Sequence, residues 1–511
     1  MKLHVPARNL LGMALLLALA IRLYLLWQYY CISPDGVHYI GAARDFFHGR
    51  FMAGLSSFYP PAYPLFISSL YSLIGEWELA GQIWSLLSGV LLLIPLYALL
   101  KSMYGEKVAL TACFLAAIGP YLARYSVHVR TESPYLLLST IALLLLHRGI
   151  ERSFWSHFFY GGLVAGLAYL VRPEAVGFLV IVPLTLAVRC WVKGDKSIRW
   201  FCGTTLLLFI GFSLLAFPYI LYLRLDTGEW TLSRKMGVTL WISLKESGLV
   251  SGEELKGMAS DSLTLFRLAT HYPLLFAKKF LLDLLSSLGV YLEALHYAYI
   301  PFLFIGLLHF FRDRFWRRED FLLLVFLVFY LVGFALIYPN RRYALQMVPI
   351  SMGWTAAGVL WCWDYLKASV SPRAFRKAVA ALAVTFLAGT LPKTLYPISR
   401  DKAYLREAGQ YLKRLKGPGE LSVLVFDGRI PFYAEARPVL LGDLTEEELV
   451  RYLHYGKADY LATEVRLWLK HYPSIARDPG AHGLVMERQF QSTRKDELLL
   501  FKVQAKKKDD T

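Results

Sequence analysis

The chain has 511 residues, 56% of them hydrophobic and 15% aromatic, and only 18% charged. That balance excludes an ordinary soluble protein and predicts a polytopic α-helical membrane protein. The formal charge of +17 does not mark a nucleic-acid partner, because the basic residues fall mostly in short turns between apolar runs.

The first run, 10–30, follows Lys2 and Arg8 as a secretory signal would. It is too long for one, carries Arg22, and closes on Tyr24, Trp27, Tyr29 and Tyr30. It reads as an uncleaved span with an outer aromatic belt. Further runs of roughly 20 apolar residues lie at 80–100, 107–124, 132–149, 158–171, 175–192, 200–223, 287–311, 320–338, 343–365 and 376–392, giving eleven expected spans. Basic residues occupy alternate turns: Lys101 and Lys107, Arg148 and Arg152, Arg189 to Arg199, Arg312 to Arg318, and Lys367 to Lys377. Those turns are expected on the cytoplasmic side, which sends 31–79, 125–131, 172–174, 224–286, 339–342 and the tail outward. The five cysteines, Cys31, Cys113, Cys190, Cys202 and Cys362, show neither a disulfide framework nor a metal-binding spacing.

After the first span comes SPDGVHYIGAARDFFHG (33–49), read as a helix start with Ser33 as cap and Pro34 in the first position. Asp35 then sits in the first turn, where the helix dipole favours an ionised carboxylate, either a plain first-turn charge or a base. His38 and Tyr39 follow on the same helix. FYPPAYPLFISSLYSLIG (58–75) is expected to lie in the membrane plane, and 271–285, with Lys278 and Lys279, along its surface or as a simple connector. From about residue 400 the composition turns soluble. A helix at 402–416, a strand at 421–426, a helix at 444–454 and strands near 458–463, 484–490 and 497–503 predict a small α/β extracytoplasmic domain over 394–511, after a membrane domain over 1–393. The terminal AKKKDD reads as a disordered tail.

Four polar groups share the outward side: Asp35 with His38 and Tyr39; Arg130, Thr131 and Glu132; Arg172, Pro173 and Glu174; and Asn340, Arg341, Arg342 and Tyr343. Arginine is scarce on that side, and a guanidinium can give two parallel hydrogen bonds to a phosphate. Each arginine alone could be a snorkelling helix end, but together they suit a lipid-linked phosphosugar. Asp35 would deprotonate an acceptor while the arginines neutralise the departing lipid phosphate, inverting the anomeric centre. Asp35, Glu132 and His38 could also ligate a divalent cation, although no spacing demands one.

The pieces PDGVHYIGAARDFFHG (34–49), YPPAYPLFISSLY (59–71), RTESPYLLL (130–138), RPEAV (172–176) and RRYALQMVPI (341–350) resemble, in order, the GT-C glycosyltransferases of the protein O-mannosyltransferase and lipid A aminoarabinose transferase-like group. The resemblance implies Asp35 as catalytic base, Glu132 as the acidic residue opening the fourth span, expected as a second catalytic residue that orients an acceptor or a metal beside Asp35, and Arg341, Arg342 and Tyr343 near the donor phosphate. Tyr59, Arg130, Arg172, Glu174 and Lys278 complete the expected substrate-binding set, with His38 and Tyr39. One departure is Gly36, where many relatives carry a second acid. The expected donor is a polyprenyl-phosphate monosaccharide, the acceptor a lipid, protein or glycan, and the place the plasma (inner) membrane with its site outside. The alternative is a lipid-linked sugar flippase, which would want intramembrane polar groups and internal repeats.

Overall fold

The computed structural model describes residues 6–194, 196–250, 264–312, 320–417, 419–455, 458–493 and 496–504. The terminal AKKKDD and the basic positions Arg314, Arg317 and Arg318 lie outside them. Two compact units emerge, Met1–Tyr24 with Ala42–Tyr396, and Leu25–Gly41 with Pro397–Thr511.

In the first unit six helices are long and apolar enough to cross a membrane: Ala7–Trp27, Trp77–Tyr104, Glu132–Arg152, Pro173–Val192, Ile198–Thr227 and Pro372–Leu395. The expected eleven is not reached by length and composition among the described residues, for local reasons. The 107–124 run is cut at Gly119 and Pro120 into Glu106–Ile118 and Pro120–Tyr125. Trp155–Val171 has 17 residues and Phe321–Leu336 has 16. The run expected at 287–311 is part of a broken pair, Pro273–Leu295 and Tyr297–His309, bent by 88°. His296, at φ 82°, ends the first helix in a left-handed conformation, and Pro301 opens the next. Within the 271–285 stretch, residues 273–285 form the first part of helix Pro273–Leu295, mostly exposed but with Lys279 and Asp283 buried.

Small residues let these helices approach closely. A Cβ at Gly162 would lie 2.3 Å from the Leu208 carbonyl oxygen, and one at Gly211 2.2 Å from that of Phe159. Helices Trp155–Val171 and Ile198–Thr227 therefore meet backbone to backbone, with Gly162 and Gly166 at GxxxG spacing. Arg22, buried in the first helix, donates to the Ala18 carbonyl at 3.1 Å and the Ala117 carbonyl at 3.3 Å. The 58–75 stretch folds as a helix, Ala62–Ile74, whose Tyr63 hydroxyl donates to the Gly81 carbonyl at 3.0 Å.

The second unit is built on a five-stranded sheet of order β2-β1-β3-β5-β4. Its strands are β1 (Ser422–Val425), β2 (Arg437–Leu440), β3 (Tyr460–Glu464), β4 (Leu484–Gln491) and β5 (Glu497–Val503). β1 runs parallel to β2 and β3, while β5 is antiparallel to β3 and β4. Helix Ala403–Leu415 lays Tyr404, Leu405, Ala408 and Leu412 on one side of the sheet. Leu449 and Leu453 of Glu446–His454, with Trp468 and Tyr472, cover the other. The four expected strands are present; β2, short and exposed, was not expected. Residues 25–41 join this unit through a parallel bridge between Tyr29 and Ile398 and the burial of Cys31 in its core.

Candidate active site

Within the first unit, turns far apart in sequence converge on Glu132, which is 1% exposed. Glu132 opens helix Glu132–Arg152, where its charge meets the positive helix end. Its Oε1 accepts from Arg342 Nε at 2.8 Å and lies 3.5 Å from an Arg172 terminal nitrogen. Arg172, also buried, gives its other side to Glu174 Oε1 at 2.7 Å and 3.3 Å. Its guanidinium lies over the rings of Tyr343 and Tyr135, 5.2 and 5.7 Å from their centres. Burial opposes the Arg172 charge, but Glu174 and Glu132 more than offset it, so its pKa is raised. The sequence explains the bend that aims Arg172: Pro173 ends the preceding helix, leaving Arg172 extended at φ −149° and ψ 130°.

Arg342 is presented by a single helical turn, Arg341–Ala344, capped by the Asn340 side chain accepting from the Arg342 amide at 3.0 Å. The two neighbouring arginines diverge. Arg342 takes Glu132, while Arg341 pairs with Glu293 and donates to the Tyr121 hydroxyl at 3.2 Å. Arg130 lies with its guanidinium 5.7 Å from the centre of the Tyr125 ring, adding positive charge near Glu132.

Two hollows flank this cluster and share Tyr343. A small one is lined by Glu132, Tyr135, Arg172, Arg342, Tyr343 and Gln346. Glu132 Oε2 and Gln346 Oε1 are buried and accept no hydrogen bond from the described residues. A larger cleft, about 140 Å³, has apolar walls including Val176, Leu232, Met236, Phe334 and Ile337, with Glu174, Ser233 and Lys235 among them. Lys235 Nζ lies 5.0 Å from the centre of the Tyr59 ring and 5.9 Å from that of Tyr343.

Of the residues singled out in the sequence, the first unit thus brings together Tyr59, Arg130, Glu132, Arg172, Glu174, Arg342 and Tyr343. Lys278 is exposed; its neighbour Lys279 is the buried one, bonded to Asp283 at 2.6 Å. Asp35, His38 and Tyr39 belong to the second unit. There Asp35 is half-buried in the first turn of helix Pro34–Phe47, His38 exposed and Tyr39 buried. Ser33 Oγ accepts the Gly36 amide at 3.1 Å, the expected cap. Among the described residues no three His, Cys, Asp or Glu side chains converge as a metal site. Lys235, Gln346 and Tyr135 escaped the sequence reading; the only trace of Lys235 was its place in a polar segment, SRKMG, after a long apolar run.

Residues 59–239 match the family model described as dolichyl-phosphate-mannose-protein mannosyltransferase. No curated protein matches the chain. Among solved structures, ArnT from Cupriavidus metallidurans, bound to undecaprenyl phosphate, aligns with a TM-score of 0.60 at 13% identity over 98% of this chain and 99% of its own. The Archaeoglobus fulgidus oligosaccharyltransferase in its apo form aligns with a TM-score of 0.59 at 12% identity, over 98% of this chain and 75% of its own. The same archaeon's AglB, in complex with an inhibitory peptide and a dolichol-phosphate, gives 0.54 at 12% identity over 99% and 75%. The ordered motifs, the family match and the shared fold together support a GT-C glycosyltransferase of the protein O-mannosyltransferase and ArnT-like group.

Proposed function

We propose that this protein is an inverting glycosyltransferase that moves a monosaccharide from a polyprenyl-phosphate donor to an acceptor at the outer face of the plasma membrane. The observation that carries the reading is the clustering of Arg130, Arg172, Arg342 and Lys235 about two carboxylates of the first unit, Glu132 and Glu174, at an apolar-walled cleft. An excess of fixed positive charge beside hydrocarbon-like walls suits a molecule with a phosphate head and a long apolar chain. The ArnT structure of the same fold holds undecaprenyl phosphate, and an AglB structure a dolichol-phosphate, which favours that donor class.

In this reading Glu132 organises rather than reacts. It holds Arg342 and Arg172 in fixed orientation, so their charge is in place before the phosphate departs. Arg342 and Lys235 face the developing phosphate charge, and Tyr343 separates the two hollows. Glu132 Oε2 and Gln346 Oε1 offer acceptors for sugar hydroxyls in the small hollow. Asp35 takes the proton from the attacking hydroxyl or amine as it bonds to the anomeric carbon. The bond from that carbon to the lipid phosphate oxygen breaks on the opposite side.

The test is transfer from synthetic polyprenyl-phosphate sugars by the purified full chain, with membrane extracts as acceptor source. Asp35→Asn is expected to lower kcat by about two to four orders of magnitude with little change in donor KM. Arg342→Gln should instead raise donor KM and lower kcat together. Equal transfer by the parent and Asp35→Asn would reject the base.

A further inference from the structure

We infer that Tyr433 is a positioning residue for the aspartate-bearing helix, acting through Ile32; this rests on Asp35 being the base. The segment before Asp35 is bound into the sheet unit at successive points. Tyr30 donates its amide to the Ile398 carbonyl at 3.1 Å, and Ile398 returns one to Gln28 at 2.9 Å. Cys31 is 0% exposed, in the core with Leu405, Ile430 and Ala434. The Ile32 amide then donates to the Tyr433 hydroxyl at 2.7 Å.

Tyr433 stands on the short helix Arg429–Ala434, directly after β1, and Arg406 lies over its ring at 5.2 Å. Ile32 carries the constraint into the aspartate's own turn. A Cβ at Gly36 would meet Ile32 Cγ1 at 2.8 Å and Ser33 Oγ at 3.2 Å. Gly36 therefore lets the first helical turn rest directly on a buried isoleucine whose amide is held by Tyr433. The same contact explains why an acidic side chain does not fit at position 36 in this chain. One hydroxyl thus fixes the backbone three residues before Asp35, and a steric stop fixes the residue after it. Small misplacements of a reacting group cost large factors in rate, so this arrangement should be visible in kcat.

The experiment uses the full chain in lipid nanodiscs, with a radiolabelled polyprenyl-phosphate sugar that the parent turns over. Tyr433→Phe keeps the ring and removes the hydroxyl that accepts the Ile32 amide. Amide exchange in peptides covering 29–37 should rise while that of β1 and β3 stays unchanged. kcat should fall about ten- to a hundredfold with donor KM unchanged. In an Asp35→Asn background the same substitution should cause no further loss, because it acts through the missing carboxylate. Gly36→Ala provides a second route to the same displacement and should show the same pattern. Unchanged kcat in Tyr433→Phe and Gly36→Ala, or an equal loss with and without Asp35, would overturn the positioning role alone. Full activity in Asp35→Asn would overturn the base assignment and, with it, this inference.

Discussion

At the scale of single residues, burial decides what each charge can do. Glu132 is enclosed and shared by two arginines, so replacing it leaves cations without their partner, which is costlier than losing the pair as a whole. Glu132→Gln should lower both the apparent melting temperature and kcat, whereas Glu132→Asp should recover melting more fully than activity, because the shorter acid keeps charge but moves Arg342. Thermal unfolding and initial rates on the same preparations check this. His128 gives a pH prediction from the turn before Glu132. Burial first, then the positive charges of Arg130 and Arg124, hold its imidazole well below the usual histidine pKa. The unfolded chain takes up a proton near pH ~6.5 that the native state refuses. Stability from this group is therefore full above that pH and declines as pH falls below it, down to the depressed native value. Melting temperature measured from pH 8 to 5 should drop in the parent, and the drop should be shallower in His128→Gln.

At the scale of elements, the sequence pattern was legible wherever periodicity and length agreed. The strands at 421–426, 458–463 and 497–503 alternate or run apolar between turn residues, and they formed. What it concealed was breaks caused by single backbone conformations: nothing in YLEALHYAYIP (291–301) announces that His296 turns left-handed and bends the helix pair by 88°. Burial of Lys279 was equally hidden, since Lys278 beside it is chemically identical and exposed. Only the packing of helix Pro273–Leu295 on Phe321–Leu336 chooses between them. Lys279 bonds Asp283 and donates to the Leu336 and Ile337 carbonyls at 3.4 and 3.2 Å, closing the end of the helix that leads to Arg341 and Arg342. Lys279→Met should leave Asp283 buried without its cation and weaken both stability and transfer. The double variant Lys279→Met with Asp283→Leu should recover melting temperature more than activity, because it restores packing but not the helix end. Lys278→Met should change neither.

At the scale of the whole molecule, the four-group reading rested on topology, since only the alternation of basic turns placed 125–131, 172–174 and 339–342 on one side. Their convergence on Glu132 in the first unit requires only that they lie at one end of their helices, because residues at opposite ends of spanning helices could not share one carboxylate. What sequence order could not show was that residues 25–41 join the unit formed by 397–511, as pairing between segments this far apart leaves no local periodicity. The same topology makes a prediction that does not depend on chemistry. Glu229 is exposed in the turn after helix Ile198–Thr227, on the side of Lys235, and Arg373 is exposed at the start of helix Pro372–Leu395, in a turn assigned to the cytoplasm. In a variant with Cys202 replaced by alanine, a cysteine placed by Glu229→Cys should react in intact cells with a membrane-impermeant maleimide. One placed by Arg373→Cys should react only after the membrane is opened. The reverse pattern would put the arginine cluster on the cytoplasmic face, where a donor presented from outside could not reach it.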